Sequence, residues 1–165
     1  MGDPFDATSQ YGPLARNNIR EDLHRQVSIS TAKGARLLTG GYIPQERGAY
    51  YPATVLTNVA PGMPAYHEEL FGPVAALIKV RDAEEAVKIA NDTSFGLGSA
   101  IFTANIERAR AMAEDQLESV CCFINEFTRS DPRLPFGGIK ESGIGRELAL
   151  YGLLEFVNIK TIYIK

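Results

Sequence analysis

Residues 98–124 read GSAIFTANIERARAMAEDQLESVCCFI, and changes in hydrophobic pattern divide this stretch into three parts. Gly98 to Thr103 is a short, largely apolar run that predicts a strand. Asn105 then suits the N-cap of a helix. The inward face of that helix carries small and apolar residues, namely Ala109, Met112, Ala113 and Leu117. Ser119 to Ile124 predicts a second strand, so the order of elements favours parallel strands joined by a helical crossover.

The same alternation extends towards the N-terminus. An apolar stripe of Ile19, Leu23 and Val27 predicts a helix from about Arg16 to Lys33, with Gly34 as its C-terminal cap. Strands are predicted at Ala35–Thr39, Ala53–Val59 and Val74–Val80, and the last of these is expected to be buried on both faces. Asp82 and Glu85 predict a capping box at the next helix. The fold class is therefore α/β, with helices flanking a layered, largely parallel sheet.

The C-terminal third of the chain has a different character. Asn125 to Gly145 is rich in glycine and proline and predicts a long ordered loop, a feature that is usually functional in a compact domain. Arg146 to Phe156 predicts a helix. Val157 to Lys165 alternates between apolar and polar residues, which predicts a strand with one buried face. A terminal strand with a free edge needs a partner.

Composition excludes several classes of function. The 165 residues, 45% hydrophobic and 22% charged, are enough for one domain with a real core. A net charge of −3 and a pI near 5.4 give no electrostatic reason to expect nucleic acid or membrane as partners. The sequence shows no run of apolar residues long enough to span a membrane and no signal segment. The adjacent Cys121 and Cys122 do not suit a disulfide framework, which favours a reduced, cytoplasmic setting.

Three motifs occur in a fixed order along the chain: EELFGPV at 68–74, NDTSFGL at 91–97 and PFGGIKESG at 135–143. Together with Gly2-Asp3-Pro4 they resemble the C-terminal part of the catalytic domain of NAD(P)-dependent aldehyde dehydrogenases, and they are most similar to succinate-semialdehyde dehydrogenases. The resemblance covers essentially the whole chain. It implies that residues 1–156 are that part of the catalytic domain and that residues 157–165 form a strand for homo-oligomer assembly.

The resemblance also implies a reaction. Such enzymes oxidise an aldehyde, here succinate semialdehyde, to the acid by way of a cysteine thiohemiacetal, with NAD or NADP as the hydride acceptor and a glutamate-activated water. Family enzymes place the nucleophile and the dinucleotide-binding fold outside the region matched here. We therefore expect no catalytic residue and no metal site in this chain, and no activity from it alone.

The cofactor-binding candidates are Glu69 and Phe71. In the resembling family the glutamate accepts hydrogen bonds from the hydroxyls of the nicotinamide ribose, and the phenylalanine packs at the nicotinamide. A carboxylate suits this task because its lone pairs can receive two hydroxyl donors. His67 beside them is interpreted as a surface or turn residue.

The substrate-binding candidates lie in and beside the loop 125–134. By resemblance Ser130 binds the distal carboxylate of the substrate, and Phe136 lines the aldehyde tunnel. Arg129 and Arg133 add positive charge that suits a carboxylate-bearing aldehyde. The loop is closest to a subgroup with the pattern N-G-x-x-x-S-D-x-R-x-x-F-G-G, from which Glu126 departs.

Two features that resemble catalytic motifs are interpreted as structural. Gly143 and Gly145 lack the third glycine and the strand context of a dinucleotide-binding loop. Cys121 and Cys122 lie in a predicted strand and are expected to be buried in the core, because free cysteine is among the most buried residue types.

Two alternatives to succinate semialdehyde oxidation stay open. One is an aldehyde dehydrogenase for an apolar or amino aldehyde. The other is a truncated, non-catalytic module that joins full-length subunits through its last strand. The choice between NAD and NADP is not encoded in these residues.

Overall fold

The structure is a computed structural model, and it describes residues 1–45 and 47–165. The chain divides into two compact units, residues 1–80 and residues 81–165. Both contain helices and strands, which confirms the α/β class. No helix among the described residues has the length and apolar character needed to cross a membrane.

Residues 1–80 are built around one long helix and a three-stranded sheet. The elements are α1 (Asn17–Ala32), β1 (Arg36–Thr39), β2 (Thr54–Thr57), α2 (Pro64–His67) and β3 (Val74–Ala76). The strand order is β1-β2-β3, with β1 antiparallel and β3 parallel to β2. The predicted strand at 74–80 is shorter than expected, because its pairing with β2 ends at Leu56 and Ala76. It is not buried on both faces either, since Val74 and Ala76 are half-buried and Ala75 is exposed.

Helix α1 forms where its apolar stripe predicts it. Leu23 and Val27 are each 1% exposed and face the core, since residues four apart lie on the same side of a helix. The helix ends at Ala32, and Gly34 follows its C-cap Lys33. The φ of Gly34, +110°, is readily adopted only by glycine, and its N–H donates to the carbonyl of Thr31.

The core of this unit lies between α1, the sheet and α2. Its buried members are Val27, Ala35, Leu56, Val59, Met63 and Ala65. Polar groups within it are paired, as burial requires: Ser30 is fully buried, and its hydroxyl oxygen accepts the N–H of Ala65 at 2.9 Å.

Residues 81–165 contain more numerous but shorter elements. They are α3 (Ala83–Asn91), β4 (Phe95–Gly96), β5 (Gly98–Ile101), α4 (Ile106–Asp115), β6 (Cys121–Ile124), β7 (Ile139–Lys140) and α5 (Ala149–Leu154). Strands β5 and β6 are parallel and flank α4 in sequence, as predicted. Strands β4 and β7 are antiparallel. The described strands thus make two parallel and two antiparallel pairs in three small sheets, in place of the largely parallel sheet predicted.

Side-chain caps begin both longer helices of this unit. Asn105 accepts the N–H of Arg108 at 3.0 Å, and Asp82 accepts the N–H of Glu85 at 2.8 Å. The carboxylate of Glu85 returns to the N–H of Arg81 at 2.8 Å, one residue before the expected partner. The neighbouring Arg81 holds the pKa of Glu85 below its usual value.

Two predictions for the C-terminal third are corrected, and the assembly strand at 157–165 stays a prediction. The loop 125–145 contains the short strand β7, which pairs with Phe95 and Gly96. The last helix starts only at Ala149, because Leu148 before it has a φ of +64°, outside the right-handed helical region. Residues 157–165 form no strand, since no described segment pairs with their backbone.

Candidate functional site

The first candidate site lies in residues 1–80, beside the motif at 68–74. A cavity of about 330 Å³ is lined by Ile19, Asp22, Leu23, Arg25, Gln26, Glu69 and Phe71. The ring of Phe71 is 64% exposed, and Glu69 is also exposed. Within the described residues, the Glu69 carboxylate has no hydrogen bond or ion pair, so its oxygens remain available to a ligand that donates hydroxyl groups.

Helix α1 holds this motif in place. The side-chain amide of Gln26 donates to the carboxylate of Glu68 at 2.9 Å and to the backbone carbonyl of Glu69 at 3.0 Å. Gly72 lies directly against Leu23, because a Cβ added at Gly72 would lie 2.4 Å from Leu23 Cδ2. Sequence reasoning missed Gln26. The sequence does contain a sign of its role: Gln26 is a polar residue on the buried stripe of α1, three positions after Leu23 and next to Val27.

His67 serves the turn before the motif. Its Nε2 accepts the N–H of Gly62 at 2.9 Å, and its ring packs edge-on against Tyr66. These contacts agree with its interpretation as a turn residue.

The second candidate site lies in residues 81–165. A cavity of about 430 Å³ is bounded by strand β6 with Val120, and by residues of the following loop, namely Glu126, Arg129, Asp131, Leu134, Pro135 and Phe136. Of the predicted substrate residues, the structure brings Arg129 and Phe136 together at this cavity. Ser130 and Arg133 are exposed and are not part of its lining.

Both loop arginines already have acidic partners. Arg133 donates twice to the Asp131 carboxylate, at 2.9 Å from Nε and 2.6 Å from Nη2. This pairing holds the pKa of Asp131 well below its usual range and raises the pKa of Arg133. Arg129 lies 3.7 Å from a carboxylate oxygen of Glu126 in a more exposed pair. The positive charge predicted for the loop is therefore locally balanced.

Cys121 and Cys122 also contribute to this cavity, which corrects the prediction that they are buried in a core. Both are free and only partly buried. The Sγ of Cys121 lies 3.9 Å from the carbonyl oxygen of Pro135, within the sulfur hydrogen-bond range. Strand β6 pairs with β5 but buries neither thiol fully.

The glycine-rich motif at 135–143 makes backbone contacts, as its structural interpretation predicts. A Cβ at Gly138 would lie 2.6 Å from the backbone carbon of Ser142, so only glycine fits there. The Ser142 hydroxyl oxygen accepts the N–H of Gly96 at 3.0 Å. Lys140 ties the loop to the motif at 91–97 by donating to the carbonyls of Asn91 and Thr93, each at 3.1 Å.

No group of three or more His, Cys, Asp or Glu side chains in the part of the chain that the structure describes is arranged to hold a metal ion. The two candidate sites offer instead a free carboxylate beside an exposed aromatic ring, and a partly apolar cavity with a charged rim.

Comparisons with known proteins give consistent results. Residues 1–162 match the profile described as the aldehyde dehydrogenase family. The chain is 52% identical over 163 residues to the succinate semialdehyde dehydrogenase (NAD(P)+) Sad of Escherichia coli K12, with 99% of this chain and 35% of that protein covered. It is 48% identical over 161 residues to the NADP+ succinate-semialdehyde dehydrogenase of Deinococcus radiodurans, with 98% of this chain and 34% of that protein covered.

Solved structures agree with these sequence matches. Succinic semialdehyde dehydrogenase from Streptococcus pyogenes, in complex with NADP+, superimposes with a TM-score of 0.94 at 40% identity, over 99% of this chain and 36% of that one. Betaine aldehyde dehydrogenase from Staphylococcus aureus, in complex with NAD+, gives a TM-score of 0.88 at 34% identity, over 94% and 31%. The chain thus spans about a third of the length of the proteins it matches.

Proposed function

This chain belongs to the aldehyde dehydrogenase family, and we propose that it is the C-terminal part of an enzyme that oxidises succinate semialdehyde with NAD+ or NADP+. The observation that carries the proposal is the free Glu69 carboxylate beside Phe71, on a motif that α1 holds in place. The names of its relatives, succinate-semialdehyde dehydrogenases at 52% and 48% identity, support the choice of substrate.

In this proposal residues 1–80 hold the nicotinamide end of the cofactor. Glu69 fits that group because its two carboxylate oxygens can accept the two ribose hydroxyls, and the Phe71 ring offers an apolar surface to the nicotinamide. The cofactor, when bound, supplies the hydride acceptor. This chain's contribution is to orient it, and orientation of reacting groups is a large part of catalysis.

Residues of the loop 125–136 bind the substrate. Ser130 donates its hydroxyl hydrogen to the distal carboxylate, and Phe136 packs along the aldehyde chain. Arg129 has a long, exposed pair with Glu126 and can turn to the carboxylate. Arg133 contributes mainly by keeping the loop in shape through its two bonds to Asp131.

The experiment that tests the substrate uses a chimera in which this chain replaces the matching 35% of Escherichia coli Sad. Ser130→Ala should raise KM for succinate semialdehyde about tenfold, because a hydrogen bond to a charged group is lost. KM for butanal, a neutral aldehyde of the same chain length, should barely change. Equal changes for both aldehydes would assign Ser130 a packing role and remove the argument for a carboxylate substrate.

The isolated chain is proposed to be inactive. Residues 1–165 alone should produce no NADH or NADPH from an aldehyde, because family enzymes carry the nucleophile outside this region. Cys121→Ser and Cys122→Ser provide the check, since both thiols are partly accessible. Turnover that disappears with either substitution would make that cysteine a nucleophile.

Residues 157–165 are proposed to pair with a neighbouring subunit of a homo-oligomer. Their apolar side chains are strongly exposed, at 87% for Ile159, 74% for Ile162 and 87% for Ile164. An added partner strand would satisfy their backbone groups and hide the free edge. Deleting residues 157–165 from the chimera should lower its mass in solution, as measured by light scattering. An unchanged oligomeric mass would exclude this segment as the assembly element.

A further inference from the structure

We infer that Gln26 is a positioning residue for cofactor binding, which acts by fixing the direction of the Glu69 carboxylate. The inference rests on the proposed role of Glu69 at the nicotinamide ribose. It assigns to a helix side chain the task of setting the geometry of that contact.

The contacts of Gln26 single it out. Its side chain is on the buried face of α1, and the residue is only 8% exposed. One amide nitrogen donates to two consecutive residues, to the side chain of Glu68 and to the main chain of Glu69. Both partners are acceptors, and an amide NH2 group has two hydrogens, so its donor capacity is fully used.

The position of these bonds explains their effect on Glu69. Glu68 ends α2 in an extended conformation, with φ −100° and ψ 153°, so the helix itself no longer restrains the chain there. The Glu69 carboxylate has no partner of its own among the described residues. Its direction therefore depends on its backbone, and Gln26 is what holds that backbone on the side of α1.

A second contact with α1 restrains the chain just after Phe71, at Gly72. Leu23 lies under Gly72 so closely that a Cβ there would overlap it. Leu23 and Gln26 are three residues apart and share one face of the helix, so they bracket the segment that carries Glu69 and Phe71. This steric contact remains when Gln26 is changed, whereas both hydrogen bonds are lost.

The test compares two buried polar residues one helical turn apart. Gln26→Met keeps the length and apolar volume of the side chain but removes both donors. Ser30→Ala removes a buried hydrogen bond to Ala65 on the same helix, away from the motif. In the Sad chimera, Gln26→Met should weaken binding of NADH and NADPH about tenfold, as measured by nucleotide fluorescence. ADP, which lacks the nicotinamide ribose, should bind unchanged.

Three further readouts complete the test. Ser30→Ala should lower the melting temperature comparably and leave both affinities unchanged. Hydrogen exchange of the whole 165-residue chain should show faster exchange at residues 68–71 in Gln26→Met only. Gln26→His, which retains a ring N–H donor on a side chain of similar reach, should recover part of the affinity.

The outcomes separate this inference from the proposed function. If Glu69→Gln weakens NADH binding and Gln26→Met does not, the positioning role is overturned and the ribose contact stands. If Ser30→Ala weakens NADH binding as much as Gln26→Met, the effect is general destabilisation and the positioning role is likewise overturned. If Glu69→Gln itself leaves NADH and NADPH binding unchanged, the proposed cofactor contact fails, and the inference fails with it.

Discussion

Residues 1–80 and residues 81–165 both have helices with defined ends and paired strands, yet they bury their apolar side chains very differently. Among the described residues, every buried hydrophobic side chain except that of Ala109 lies in residues 1–80. The other unit leaves large apolar groups in solvent. Phe102 and Phe127 pack against one another with tilted rings, whose centroids are 5.5 Å apart, while the two residues are 61% and 75% exposed.

This difference separates two contributions to a fold. Caps and strand pairs satisfy backbone groups in both units, but the net gain from each hydrogen bond is modest. Burial of apolar area is the dominant favourable term in folding. We therefore expect residues 1–80 to hold most of the stability of this chain, and residues 81–165 to gain stability when other surfaces cover their apolar side chains.

The largest expected difference is between two leucine-to-alanine substitutions, one in each unit. Leu56 is fully buried in the core of residues 1–80, and Leu56→Ala should reduce the free energy of unfolding by about 2–5 kcal/mol. Leu153, which is 65% exposed in the other unit, should change it by less than about 0.5 kcal/mol when replaced by alanine. Urea denaturation followed by circular dichroism measures both. Equal losses would contradict the difference in burial.

A pH effect of about 3 kcal/mol is expected in residues 1–80. Tyr51 is 1% exposed, its hydroxyl lies 3.2 Å from His24 Nδ1, and burial raises its pKa from 10.0 to about 12. Because the folded-state pKa is raised, this stabilisation is complete below pH 10 and is lost as the pH rises through 12. Denaturation midpoints should fall less steeply between pH 10 and 12 in Tyr51→Phe than in the unsubstituted chain. Parallel curves would exclude Tyr51 as the cause.

A substitution of Glu69 tests the role proposed for residues 1–80, which is to hold the nicotinamide end of the cofactor. In the Sad chimera, Glu69→Gln should lower kcat about tenfold, because one carboxylate acceptor of the ribose hydroxyls is weakened. Stability should stay within about 0.5 kcal/mol, since Glu69 is exposed. Steady-state kinetics and thermal unfolding measure the two quantities. Wild-type turnover together with wild-type cofactor affinity would rule out the ribose contact.

The smallest effect concerns a helix cap in residues 81–165. Asp82→Ala removes the acceptor for the Glu85 N–H and should cost about 1 kcal/mol. If this unit is the less stable one, the loss should appear as faster hydrogen exchange at the start of α3, with little change in the main unfolding transition. A large shift of the main transition would mean that the two units unfold together.

The features that the sequence predicts well depend on neighbours along the chain. The stripe of Leu23 and Val27 and the terminal Gly34 predict α1 to within a residue, and Asp82 and Asn105 mark two helix starts. Each of these signals acts within a turn or two of helix, so no distant contact is needed to make it effective.

The features that the sequence predicts poorly depend on partners that are far away along the chain. Strand β7 exists because Ile139 meets Gly96, and nothing in the loop's own composition indicates that pairing. Residues 157–165 have a strand pattern without a described partner, so the pattern alone does not produce a strand. The position of Gln26 on the buried stripe of α1 marks it as unusual, but its partners become clear only when the segment at 68–69 is placed against it.

The position of Phe136 between two lining sets matters for any attempt to change the substrate preference that we propose. Its side chain borders the cavity that Arg129 and Asp131 help to line, and also a second cavity bounded by Gly137, Gly145 and Arg146. Its backbone exchanges two hydrogen bonds with Glu147, at 2.9 Å and 2.7 Å. Phe136 therefore contributes to the lining of both cavities. Under the proposed function, a library that varies this position to admit bulkier aldehydes should vary residues 145–147 at the same time, because Phe136 borders both cavities and its backbone is paired with Glu147.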